Sequence, residues 1–142
     1  MTEFTMTATV PSGYDETVER VRALLADAGF GVLTEIDIRA TLQAKLGVDV
    51  PPQVILGACR PQLAHRALEA DPRVAALLPC NVVVAAESAG TRVDVLDPGV
   101  MSTLSTAPGM AEVAAEAREL LAGMMDTLRN DNQRENDDED RS

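Results

Sequence analysis

At 142 residues the chain has the length of one ordinary domain, and its net charge of −11, from 23 acidic against 12 basic residues, is the wrong sign for a nucleic-acid partner. No cluster of Lys or Arg offers a basic face, and no stretch approaches the roughly 18 continuous apolar residues of a membrane span. The start, Met1-Thr2-Glu3-Phe4-Thr5, lacks the basic region and apolar core of a signal peptide, so the expectation is a cytoplasmic protein whose thiols are reduced, with no nucleic-acid or membrane partner.

Phe4, Met6, Ala8 and Val10 alternate with Glu3, Thr5, Thr7 and Thr9, the period of a half-buried strand that Pro11 ends. Helical spacing follows over 13 to 28, with Asp15 and Glu16 in the first turn and Gly29 as the stop. A second strand begins at Gly31, and Ile38, Leu42 and Leu46 then step by four residues to Gly47, a short helix. Residues 54 to 59 read as a third, more buried strand.

Pro61 suits the first turn of a helix with an apolar face at Leu63, Ala64, Ala67 and Leu68, and Asp71-Pro72 restarts a short turn through Leu78. Residues 81 to 87 and 91 to 97 form a hairpin through Ser88-Ala89-Gly90. Residues 98 to 109 read as an ordered loop or broken turn. A long helix over 110 to 128 then carries Val113, Ala117, Leu120, Leu121, Met124 and Leu128 as a continuous stripe. Beyond it the run 129 to 142 has no apolar residue, so it reads as a disordered acidic tail to a single α/β domain over 1 to 128.

Alternating strands favour a mixed or mostly antiparallel five-stranded sheet, covered by helices on one face as a two-layer α/β (α+β) sandwich. With helices for one face only, Val82, Val84, Val93 and Val95 read as apolar positions in need of cover, which predicts a homodimer.

Residues Gly29 to Asp37, Ile55-Leu56-Gly57-Ala58-Cys59, Pro61 and Leu77-Leu78-Pro79-Cys80-Asn81 together resemble the bacterial and archaeal domain-of-unknown-function family 302, over about residues 14 to 128. The paired Cys59-x-Pro61 and Leu78-Pro79-Cys80 elements are the most specific part. The resemblance implies a compact α/β domain that associates as a homodimer, and it implies no particular activity. The family places Asn between the first cysteine and the proline, where this chain has Arg60. Asn would cap the following helix, and Arg60 cannot, at a cost of about 1 kcal/mol.

Both cysteines and the single histidine fall within residues 59 to 80, so Cys59, Cys80 and His65 are the candidate ligand or thiol site, with Arg60, Pro61, Pro79 and Asn81 around them. Two thiolates and an imidazole suit a soft or borderline metal, although the spacing matches no standard zinc pattern. Met101 is available as a thioether partner or as core. The same cysteines, with Cys59 just before a helix N-terminus, equally suit thiol redox or sulfur-carrier chemistry. Asp94 with Asp97, and Glu35 with Asp37, read as solvated faces. No phosphate loop, nucleophile elbow or metalloprotease helix is present, so the sequence names no cofactor and no reaction. A small-ligand or metal binding module and a redox protein both stand. They part on one geometric question, whether the Asp71-Pro72 restart returns the chain so that Cys59 and Cys80 meet at one end of an antiparallel pair.

Overall fold

The computed structural model describes residues 3–140, with side chains through Asp131. Strands β1 (Thr5–Val10), β2 (Gly31–Asp37), β3 (Gln53–Cys59), β4 (Cys80–Glu87) and β5 (Gly90–Leu96) form one sheet in the order β1-β5-β4-β3-β2, antiparallel throughout. Helices α1 (Tyr14–Asp27), α2 (Ile38–Leu46), α3 (Pro61–Ala70), α4 (Gly99–Leu104) and α5 (Met110–Asp140) connect and follow the strands. A 3₁₀ turn over Pro72–Leu77 carries the chain from α3 back to β4. Asp71 starts that turn by accepting the Arg73 backbone N–H at 3.0 Å, which is how the chain folds back and makes β3 and β4 antiparallel.

One face of the sheet carries the core. Val82, Val84, Val93 and Val95 are 0% exposed, packed with Leu56, Val21, Leu25 and Leu121 of the layers around them. Each such valine contributes about 1.5–3 kcal/mol relative to an exposed one. These are the positions from which a covering subunit was expected, and the expectation about them is overturned: α1 and α5 of the same chain cover them. Over β3 and β4 the opposite face is apolar, made so by Ile55, Val83 and Ala85, while over β1 and β5 it is polar. Thr7 donates to Asp94 at 2.7 Å, Arg92 donates to Asp94 at 2.9 Å and also pairs with Glu87, a ladder that is at home in water.

A second apolar cluster, of Leu63, Ala67, Val74, Met101, Met110 and Val113, sits where α3, the 3₁₀ turn and α4 meet α5. Helix α4 lies in the stretch read as a loop. Pro98 occupies its start, where a missing N–H is no loss, and the Asp97 carboxylate accepts the Gly99 N–H at 2.8 Å, so the residues that look like breakers are its cap.

Helix α5 also runs on through Asp140 where an acidic tail was expected to be disordered; Arg141 and Ser142 of that run lie outside the described residues. Extending an anchored helix fixes one residue per hydrogen bond and avoids the nucleation cost, so the sequence after Leu128 needs no apolar face of its own. Arg129 donates to the Thr7 carbonyl at 2.9 Å and Asp131 pairs with Arg20, which ties the first turn of the extension to β1 and α1.

Candidate functional site

In the antiparallel ladder Ala58 of β3 stands opposite Cys80 of β4, so Cys59 and Cys80 are diagonal neighbours at the same end of the sheet. Strand spacing and rise put their Cα atoms about 6 Å apart, inside the roughly 7 Å within which two cysteines can be bridged. Both are free thiols; Cys59 is half-buried and Cys80 buried. A regular pleat would send Cys59 to the face away from Ala58 and Cys80. Both nevertheless line one cavity, because Cys59 is the last residue of β3, where the chain turns into α3.

That cavity has a volume of about 20 Å³, room for one water-sized occupant, and lies between the two apolar clusters under Phe30, Leu63, Ala67 and Val113. Drug-sized ligands need about 300–1,000 Å³, so nothing larger than a single ion or atom fits without rearrangement. Met101 of α4 shares its wall, and Arg60 is the one charged residue on it among the described residues. Burial pushes the Cys80 thiol up from its ordinary value, and the neighbouring Cys59 adds to the effect. Cys80 is therefore held in its neutral thiol form, and an ion that binds there must displace its proton.

Arg60 is the N-cap residue of α3 and makes no side-chain capping bond. Its guanidinium instead crosses to the end of α1 and donates from Nη1 to the Ala28 carbonyl at 2.8 Å, placing a positive charge at a helix C-terminus. Gly29 makes the crossing possible. Its φ is +85°, and a Cβ there would stand 2.1 Å from Arg60 Nη1.

Pro61 opens α3 as expected, exposed and clear of the cavity. Pro79, after a cis peptide bond, packs on Gly57 together with Thr34: a Cβ on Gly57 would meet Thr34 Oγ1 at 2.1 Å and the Pro79 ring at 2.8 Å. Asn81 pairs with Gly57 in the ladder and is exposed. His65 is not brought to the thiols. Its side chain is 74% exposed and pairs with Glu69 at 3.0 Å, one turn along the same helix. Leu63 and Ala67 are the buried positions of α3, and a residue two places from Leu63 lies about 200° round the helix. That spacing is legible in the sequence and excludes His65 from the cluster; among the described residues no group of three His, Cys, Asp or Glu side chains is placed to hold a metal.

The carboxylates first paired by sequence have structural partners. Asp37 caps α2 by accepting the Ala40 N–H at 2.9 Å, Glu35 pairs with Arg22 at 2.6 Å, and Asp97 accepts from Arg118 at 3.1 Å. Asp71, legible in the sequence as the start of a turn, has partners that the sequence does not show. Buried beside the cavity's outer cluster, it accepts the Arg73 side chain at 3.0 and 2.8 Å and the Ser105 hydroxyl at 2.7 Å. The Arg73 hydrogen bonds, then that from Ser105, hold its carboxyl well below the usual carboxylate range. The bond from Ser105 joins the 3₁₀ turn to the end of α4, and so fixes the helix that carries Met101.

No helix among the described residues is long and apolar enough to cross a membrane. The model of the family described as Domain of unknown function DUF302 matches residues 6–128. An uncharacterized conserved protein DUF302 from Bacillus stearothermophilus, solved as a crystal structure, is 36% identical, with a TM-score of 0.81 over 88% of this chain and 98% of that one. No curated protein matches the chain.

Proposed function

We propose that this chain, which belongs to the DUF302 family, is a module that holds one soft, thiophilic ion between Cys59 and Cys80 and works as a cytoplasmic homodimer. The observation that carries the reading is the shared cavity: two free thiols from adjacent strand ends on the wall of a space about one atom wide. Its volume argues against an organic ligand, and the outward-facing His65 argues against the three-residue cluster of Cys59, Cys80 and His65. A reducing compartment keeps both thiols available, and the charge of −11 disfavours nucleic acid.

Support for a second copy comes from the edge of the sheet rather than from the valines. Strand β2 has an unpaired edge, Leu33 is 67% exposed and Ile36 46%, and α2 beside it buries no residue while Leu46 and Val48 stand in solvent. An exposed edge strand flanked by apolar side chains is a template for pairing with another chain.

Titration of the reduced protein with silver ion, followed by native mass spectrometry, tests the thiol pair. One ion per chain is expected, and none in Cys59→Ser or Cys80→Ser; binding that survives both changes ends the reading.

One observation favours a second reading, reversible dithiol chemistry: Cys59 is only half-buried while Cys80 is buried. The Cys59 thiolate would attack an oxidised low-molecular-weight disulfide, releasing one thiolate, and the Cys80 thiolate would then attack the Cys59 sulfur, releasing the second and closing the protein disulfide. Incubation with oxidised glutathione followed by a thiol count separates the two readings. A loss of two thiols with no adduct mass supports the redox one.

A further inference from the structure

We infer that the ion is cuprous copper, held by the Cys59 and Cys80 thiolates and the Met101 thioether, with Arg60 as the compensating charge; this rests on the thiol-pair reading above. The argument begins with what else is on the wall. The residues around the cavity include three sulfur side chains, two from strand ends and one from α4, and neither an imidazole nor a carboxylate. Thiolate and thioether donors select Cu(I) among the biological metals. Zinc in a closed site takes four ligands from thiolate, imidazole and carboxylate, and a thioether is not in that set.

Met101 is 5% exposed and belongs to the apolar cluster, so packing alone accounts for its burial. The further observation is that it lines the same small cavity as both cysteines. That placement depends on α4, which is set by the Asp97 carboxylate on the Gly99 N–H and by the Ser105 hydroxyl on Asp71.

Charge decides between ions of similar softness. Binding displaces one proton from each thiol, and two thiolates with Cu(I) carry a net charge of −1. Left alone in an apolar cavity, that charge is expensive. Arg60 is the one charged residue among those lining the cavity, and its guanidinium, held on the Ala28 carbonyl next to the lining residue Phe30, is the group that would bring the assembly to neutrality. With a divalent ion the same groups would sum to +1, uncompensated by any acidic residue on the wall.

The test is a titration of the reduced protein with Cu(I) under anaerobic conditions against a chromophoric Cu(I) chelator, with X-ray absorption to count sulfur neighbours. The wild type is expected to take one Cu(I) per chain with three sulfur neighbours. Met101→Leu conserves volume and should fold; it is expected to bind at least about tenfold more weakly, the lower bound for losing even an outer partner of a metal, and to show two sulfurs. Arg60→Gln is expected to weaken binding in the same range, and Arg60→Lys to restore part of it. If silver binds and is lost with the cysteines, but Met101→Leu leaves Cu(I) affinity and sulfur count unchanged, this inference is overturned and the thiol-pair reading stands. If neither silver nor Cu(I) binds, both fall.

Discussion

Strands β2 and β4 are the two neighbours of β3, with the same antiparallel pairing, and they live in opposite environments. In β4 the alternate positions Val82 and Val84 are sealed under helices of the same chain, while β2 has no buried residue along its length. The difference is not in strand chemistry, since Val32 and Ile36 are as suited to a sheet as any valine of β4. It lies in position. A strand flanked on both sides and roofed by α1 and α5 gains from every apolar side chain on one face, whereas an edge strand followed by a helix with no buried residue gains from another chain or not at all. The thiol cavity sits at the end of β3 and β4, walled by residues of α3, α4 and α5, while the outer edge of β2 is unpaired.

Truncation in the covered region should have the largest effect. Leu56 is 0% exposed in the middle of β3, and Leu56→Ala should lower the unfolding free energy by about 2–5 kcal/mol, whereas Ile36→Ala on the neighbouring edge should cost less than about 1 kcal/mol under dilute conditions. Urea melts of both variants check this, and equal losses would erase the distinction between the two sides of β3.

Gly57 probes the boundary itself, because Thr34 of β2 and Pro79 before β4 both close over it. Adding one methyl forces both aside, so Gly57→Ala should cost about 1–3 kcal/mol. Combining it with Thr34→Ala removes one of the two close contacts. The pair should therefore be less destabilised than the sum of the single changes, with the residue of the effect assigned to Pro79. Simple additivity would mean that Thr34 yields freely and that the edge strand is not tied to the site at this point.

Acid titration separates the covered core from the Asp71 clamp that positions α4. The folded Asp71 carboxyl is held below the ordinary value of about 3.9, so the unfolded chain binds a proton there at a pH where the folded chain does not. Its contribution is present in full above about pH 4 and is lost as pH falls below that value. Asp71→Asn should be less stable than wild type at neutral pH and should lose less stability between about pH 5 and pH 2. Parallel curves for the two proteins in chemical denaturation at several pH values would show that the clamp contributes nothing.

Much of the fold is legible where one periodicity dominates. Strand β1, helices α1 and α2, the hairpin and the stripe of α5 all follow from spacing and punctuation, and the Asp71-Pro72 restart correctly implies that β3 and β4 run antiparallel. What spacing alone does not carry is which face a pattern serves. Val82, Val84, Val93 and Val95 are apolar under either covering layer, and only the packing of α1 and α5 shows that their own chain covers them. Helix α4 was hidden because Pro98 and Gly99 act there as a helix start. At the site, the meeting of Cys59 and Cys80 was legible from topology and the exclusion of His65 from the helical angle. The bond from Arg60 to Ala28 spans 32 positions and leaves no local signal.

The smallest expected change in folding stability belongs to α2, and it is the one that reads the open edge directly. Leu46 is 69% exposed and α2 buries nothing, so Leu46→Ser should alter the unfolding free energy of the isolated chain by no more than about 0.5 kcal/mol. Self-association is a separate quantity. If the edge of β2 with Leu33, Ile36, Leu46 and Val48 is the dimer surface, the same substitution should shift the monomer–dimer equilibrium toward monomer in analytical ultracentrifugation while thermal unfolding of dilute samples stays put. Substituting Leu104, 63% exposed on α4 and away from that edge, is the control, expected to change neither quantity. Equal weakening by both would reduce the edge to a generic apolar surface. A dimer indifferent to Leu46→Ser and to Leu33→Ser would move the interface elsewhere and leave β2 a strand that is simply exposed.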